Sequence, residues 1–201
     1  MKNHVVLAAL ALFCSFQVLV GCGPKEFTRG KYDDPAKVIL LDDQFNENDM
    51  QLMSKALVES LLNFEDIKGR SGKPIVMVGR FRNRTSEHID VKMLTDQMRT
   101  ALIRSQKFRF VDGEGRGDLV EEYDYQASDL VDQSTAIKRG QQLGVEYLIT
   151  GDLGSNIQQV GNDKVIYYKI TMNLVDVATN VILWSEDREV RKIYRRRSVG
   201  L

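Results

Sequence analysis

Apolar residues recur along this chain with two different periods. From Met50 through Met53, Ala56, Leu57, Leu61 and Phe64 they fall three or four positions apart, the spacing that lines one face of an α-helix. Asn46 or Asn48 supplies an N-cap and Asp49 a first-turn carboxylate, so the pattern predicts a helix over 48–65. Gly69 to Pro74 breaks it, and Pro74-Ile75-Val76-Met77-Val78-Gly79 is a short apolar run suited to a buried strand. A polar loop follows from Arg80 to Asp90. Val91, Leu94, Met98, Ala101 and Leu102 mark a second helix capped near Asp90, and Phe108-Arg109-Phe110-Val111 alternates as a second strand. Residues 112–118 (DGEGRGD) read as a turn, and Leu119 to Tyr125 as the start of a short helix. Ser134 to Leu143 carries Ala136, Ile137, Gln141 and Leu143 as a further helical stretch, with Gly144 as its C-terminal stop.

Beyond Gly144 the period becomes two. Val145–Leu153, Lys164–Val177 and Val181–Val190 are strand-like, joined by turns at Gly161-Asn162-Asp163 and Ala178-Thr179-Asn180, and predict an antiparallel meander. Strict alternation puts Ile182 and Trp184 on one face of the last strand and Val181 and Leu183 on the other, with Trp184 packed under a helix. Strand, helix, strand, helices and meander together give an α/β (α+β) class, a mixed β-sheet with helices packed against it.

The first 21 residues have a different character. Lys2 is a one-charge head, Val5 to Val20 is an apolar stretch broken only by Cys14, Ser15 and Gln17, and Leu19-Val20-Gly21-Cys22 closes it. This resembles the lipobox of bacterial lipoproteins. The resemblance implies cleavage before Cys22 and acylation of its thiol, and Gly23 rather than Asp after the cysteine implies the outer membrane as the address. The run is short for a transmembrane span, which needs about 20 apolar residues. The expected organisation is a signal peptide over 1–21, a lipidated tether over 22–47, one globular domain over 48–192 and a basic C-terminal tail over 193–201.

Cleavage would leave 180 residues with 27 Lys plus Arg, 28 Asp plus Glu and one histidine. That balance argues against a general nucleic-acid binder. With Cys14 removed and Cys22 acylated, no disulfide is possible within the mature chain. A cysteine–histidine nucleophile is likewise excluded, and a zinc site would need mostly carboxylates. His88, flanked by Glu87 and Asp90, can be written as an acid/base cluster, but on a polar loop it reads as solvated surface. Gly113, Gly115 and Gly117 are spaced GxGxG rather than GxGxxG, beside Glu114 and Asp118, which repel phosphate; they read as a tight turn. The expectation is a non-catalytic binding module with no metal, no cofactor beyond the lipid on Cys22 and no small-molecule substrate.

Two surface features remain. Arg80, Arg82 and Arg84 surround Phe81 immediately after a buried strand, and Arg and aromatic residues are the types enriched at binding hot spots. The candidate contact set is Arg80, Arg82, Asn83, Arg84 and Thr85; the bland alternative is a turn capped by Asn83 and Thr85 with solvated guanidinium groups. The second feature is the basic end, Arg188, Arg191, Lys192, Arg195, Arg196 and Arg197, read either as a contact for anionic lipid or polymer or as a frayed, solvated tail.

From about Ile75 to Val190 the chain resembles the LpoB family, outer-membrane lipoproteins that activate class A penicillin-binding proteins. The matching stretches are Val78 to Thr85 with its Asn-Arg-Thr, Met98-Arg99-Thr100-Ala101-Leu102 leading to Lys107-Phe108-Arg109-Phe110-Val111, Gly144-Val145-Glu146-Tyr147-Leu148, and Ala178-Thr179-Asn180-Val181-Ile182-Leu183-Trp184-Ser185. The resemblance implies a TolB-N-terminal-like domain, an accessory domain of a class A penicillin-binding protein as partner, and stimulation of glycan polymerisation and peptide crosslinking from a periplasm-facing outer-membrane anchor. Better-known members carry a long Pro-rich linker, whereas here about 15 to 25 residues precede the first helix and reach at most roughly 50–90 Å. A related fold occurs in lipoproteins that build secretion channels, which leaves outer-membrane assembly as the alternative.

Overall fold

A computed structural model describes residues 32–35, 37–40, 42–137 and 139–196. The chain divides into two units, Met1–Asp34 and Pro35–Leu201, and the fold belongs to the second. It opens with helix α1 (Glu47–Asn63), whose N-cap is Asn46: the Asn46 side chain accepts the Asn48 and Asp49 amides while Asp49 reaches back to the Asn46 amide. Met53, Leu57 and Leu61 stand four apart on its buried face. A one-turn helix α2 (Glu65–Lys68) adds Ile67 to the core. Strand β1 (Ile75–Asn83) precedes helix α3 (Val91–Arg104), which is capped by Asp90 and buries Leu94, Met98 and Leu102. Then come β2 (Arg109–Phe110), α4 (Arg116–Gln126), and the long strands β3 (Tyr147–Val160), β4 (Asp163–Asp176) and β5 (Ile182–Arg195).

The sheet order is β2-β1-β3-β4-β5. β1 runs parallel to β2 and β3, while β3, β4 and β5 form the antiparallel meander, so the class is mixed α+β. Gly161, at φ 58°, opens the two-residue hairpin between β3 and β4. Along β4, Ile166, Tyr168, Ile170, Met172 and Leu174 are buried against α1 and α3, and the residues between them are half-buried on the opposite face.

Four expectations are corrected. β1 extends through Asn83 into the stretch expected to be a polar loop, because Arg82 and Asn83 pair with Asp152 and Leu153 of β3. The expected helix over 134–143 is absent among the described residues: Ile137 and Leu143 are exposed, so no apolar face exists to hold one. In β5, Leu174 faces Trp184 while Val175 faces Ile182, so Leu183 is the extra residue of a bulge. The bulge shifts the alternation by one, which turns Trp184 onto the core and leaves Ile182 exposed rather than sharing its face.

The fourth concerns the ends of the domain. Pro35 and Asp42 to Phe45, expected to be tether, are bonded to the fold. Gln51 donates to the Pro35 carbonyl at 3.2 Å, Lys164 donates to the Asp43 carboxylate, and Tyr194 donates to the Asp42 carbonyl. Lys192, counted in the basic end read as a contact for anionic lipid or polymer or as a solvated tail, is buried: its Nζ donates to the Gln44 carbonyl at 2.6 Å, pairs with Asp49 at 2.5 Å and lies 5.7 Å from the Tyr168 ring centroid. Removing one partner of such a buried pair costs about 3–5 kcal/mol, since the other charge is stranded. β5 itself continues to Arg195, held by Asp163 at 2.6 Å. Arg197 lies outside the described residues.

Candidate partner-binding surface

Because residues 80–83 belong to a strand, they do not act as one cluster. Phe81 is half-buried over Gly151 instead of being exposed: a Cβ on Gly151 would stand 2.5 Å from the ring's Cε1. Arg82 points to the other face and forks onto Asp152, with Nε and Nη2 donating at 2.6 and 2.9 Å. The fork holds the Asp152 carboxyl below the usual carboxylate range. An exposed pair of this kind is screened by solvent and adds little to stability.

Asn83 and Thr85 organise the turn that follows. The Asn83 side-chain oxygen accepts the Thr85 amide at 2.9 Å and the Thr85 hydroxyl at 2.7 Å, and its Nδ2 donates to the Glu87 carbonyl at 2.7 Å. Arg80 and Arg84 remain exposed, and their guanidinium groups make no hydrogen bond or ion pair among the described residues. Cys22, the expected lipidation residue, lies outside the described residues.

Two grooves open beside this segment. One, of about 430 Å³, lies between the end of β1, the first half of α3 and the turn after β2, with Arg80 and Arg116 on its walls. Inside it Arg99 pairs with Asp96 at 2.7 Å, and Lys92 bridges Glu114 at 2.5 Å and Asp96 at 3.8 Å. The Asp112 side chain accepts the Glu114 amide at 3.0 Å, and the amides of Gly115 and Glu114 hold its carboxyl low. The GxGxG stretch is thus a polar turn closed by its own carboxylate.

The second groove, of about 670 Å³, lies between the start of α1 and residues 86–90. Glu87, expected to be solvated, is a structural residue here: its carboxylate accepts the Tyr168 hydroxyl from the core and the Phe45 amide at 2.9 Å. Burial, and then the neighbouring Glu87 carboxylate, push the Tyr168 phenol well above its ordinary value. Phe45 meets Tyr168 edge-on, with centroids 5.3 Å apart. His88 is exposed and Asp90 is spent on the α3 cap. Sequence reading placed Asp49 in the first turn of α1 but missed Glu87 and the Asp49–Lys192 pair, whose one available signal was a lysine at an inward position of an alternating strand. Among the described residues no group of three or more His, Cys, Asp or Glu side chains is placed to hold a metal ion.

Helices along one face of a five-stranded mixed sheet, with two grooves opening beside them, define a mixed α+β domain. The chain belongs to the LpoB family: the family model described as peptidoglycan-synthase activator LpoB matches residues 49–190, more than half of the chain. Among solved structures, the chain is similar to the LpoB C-terminal domain from Salmonella enterica at 18% identity and TM-score 0.45, covering 72% of this chain and 99% of that one. The LpoB C-terminal domain from Escherichia coli aligns at 18% identity and TM-score 0.46, covering 71% and 98%. The NMR structure of Escherichia coli LpoB aligns at 18% identity and TM-score 0.43, covering 88% and 87%. No curated protein matches the chain by sequence. No helix among the described residues is long and apolar enough to cross a membrane.

Proposed function

We propose that this protein is a lipid-anchored activator of a class A penicillin-binding protein, held in the outer membrane by an acylated Cys22 and facing the periplasm. One observation carries the reading: the family match runs from the first turn of α1 to β5 and so takes in the whole core, not a single motif. Activation of this kind needs no chemistry from the activator itself. It needs tighter binding to the active conformation of the synthase, and a coupling of about 1–3 kcal/mol changes activity about 5- to 150-fold.

Within the segment flagged by the sequence, Arg80 and Arg84 are the side chains free to make the contact, because Arg82 is held by Asp152 and Asn83 and Thr85 by their turn. The test is glycan polymerisation by a purified, detergent-solubilised class A penicillin-binding protein, with and without the full chain. Stimulation is expected, and replacing Arg80 and Arg84 together by Ala should weaken binding by about 2 kcal/mol. No stimulation at saturating protein would overturn the reading.

A further inference from the structure

The larger groove combines features that the family assignment does not explain. Its floor is apolar. Phe45, Met50 and Ile89 pack partly against the core, and Met93, on the first turn of α3, adds a thioether that is 58% exposed. Its volume, about 670 Å³, falls within the range of sites that bury a ligand or an anchoring side chain. Methionines suit such a floor because an unbranched, polarisable side chain adapts to what it covers.

The rim is acidic. Glu47, Glu87 and Asp90 contribute three carboxylates, and no Lys or Arg lines the groove in a chain that has 28 of them. Neither wall is free to collapse. The α1 side is fixed by the reciprocal Asn46–Asp49 cap, and the other side by Asp90 on the Lys92 amide at 2.9 Å and by Asn83 on the Glu87 carbonyl at 2.7 Å. Glu87 is held in place from two directions, by Tyr168 and by the Phe45 amide, and neither donor cancels its charge. A preformed apolar floor under an acidic rim that no Lys or Arg neutralises lowers the ordering cost of one kind of occupant and repels its opposite.

We propose that the groove between α1 and residues 86–90 docks a partner segment presenting an apolar side chain flanked by Lys or Arg. The proposal rests on the activator reading, which makes the synthase that partner. The segment's apolar side chain covers Met93 and Met50, and its cationic flanks meet Glu47, Glu87 and Asp90.

The experiment uses the full chain labelled with ¹³C at its methionine methyls, titrated with the detergent-solubilised class A penicillin-binding protein. The Met50 and Met93 signals should shift or broaden, while those of the buried Met53 and Met172 change less. Met93→Glu and Glu47→Lys should each weaken binding about tenfold or more, and Met93→Leu should retain it. Both altered residues sit at the surface, and a thermal melt checks the fold of each variant. Unmoved Met50 and Met93 signals, with wild-type affinity in both variants, overturn the groove and leave the activator reading standing.

Should the synthase not bind at all, the activator reading falls, and two peptides judge the groove separately. Lys-Lys-Leu-Lys-Lys should move the Met50 and Met93 signals and Glu-Glu-Leu-Glu-Glu should not. Silence toward both overturns the proposal. Movement of the same signals on raising the protein concentration alone marks a second copy of this chain as the occupant, and it overturns the proposal too.

Discussion

Gly151 has no room for a side chain. A Cβ there would stand 2.4 Å from the Thr171 carbonyl oxygen and 2.5 Å from the Phe81 ring. The ring is a side chain and can turn aside, but the carbonyl belongs to the β3–β4 ladder, where Asp152 pairs with Thr171. Gly151→Ala is therefore expected to destabilise by about 1–3 kcal/mol, read as a lower urea midpoint at unchanged slope. Adding Phe81→Ala should not rescue it, because the clash with Thr171 remains. An unshifted midpoint in Gly151→Ala would show that β3 moves away from β4 at little cost. Lys192 makes a comparable point about polar residues: its place in β5 faces the core only because Asp49 and the Gln44 carbonyl are there to receive it.

Among the elements, α1 and α4 differ sharply in how they are held. α1 buries Met53, Leu57, Val58 and Leu61 and carries a reciprocal cap. α4 buries nothing, its N-cap Gly115 offers no side chain, and Leu119, Val120 and Tyr125 stay exposed. Amides of α4 should accordingly exchange with solvent by local opening, about a hundredfold or more faster than those of α1, which must await global unfolding. Equal protection, measured by hydrogen exchange, would mean that α4 is tied down by contacts absent from this structure. The same contrast explains what the sequence made legible. α1, α3 and the meander announce themselves because their apolar periods are local. The outer half of β1 does not, since Arg82 becomes a strand residue only by meeting Asp152, which lies far along the chain. The Leu183 bulge is equally silent, because it is visible only against β4. Of the candidate contact set only the exposure of Arg80 and Arg84 was legible, whereas the groove over Met93 needed α1 and residues 86–90 to be brought together.

For the molecule as a whole, the anchor is the first thing to test. Cys22→Ser should abolish incorporation of labelled palmitate and release the protein from membranes, because no other residue there can carry a thioether. A variant that keeps its label would remove the anchor from the account. The point at which the upstream chain joins the domain then matters mechanically. Asp42 to Gln44 are lashed crosswise to Tyr194, Lys164 and Lys192 on strands β4 and β5. A pull arriving from the N-terminal side meets first the bonds that α1 makes to the Pro35 and Ile39 carbonyls through Gln51 and Asn48, and behind them the side chains rooted in two 14-residue strands.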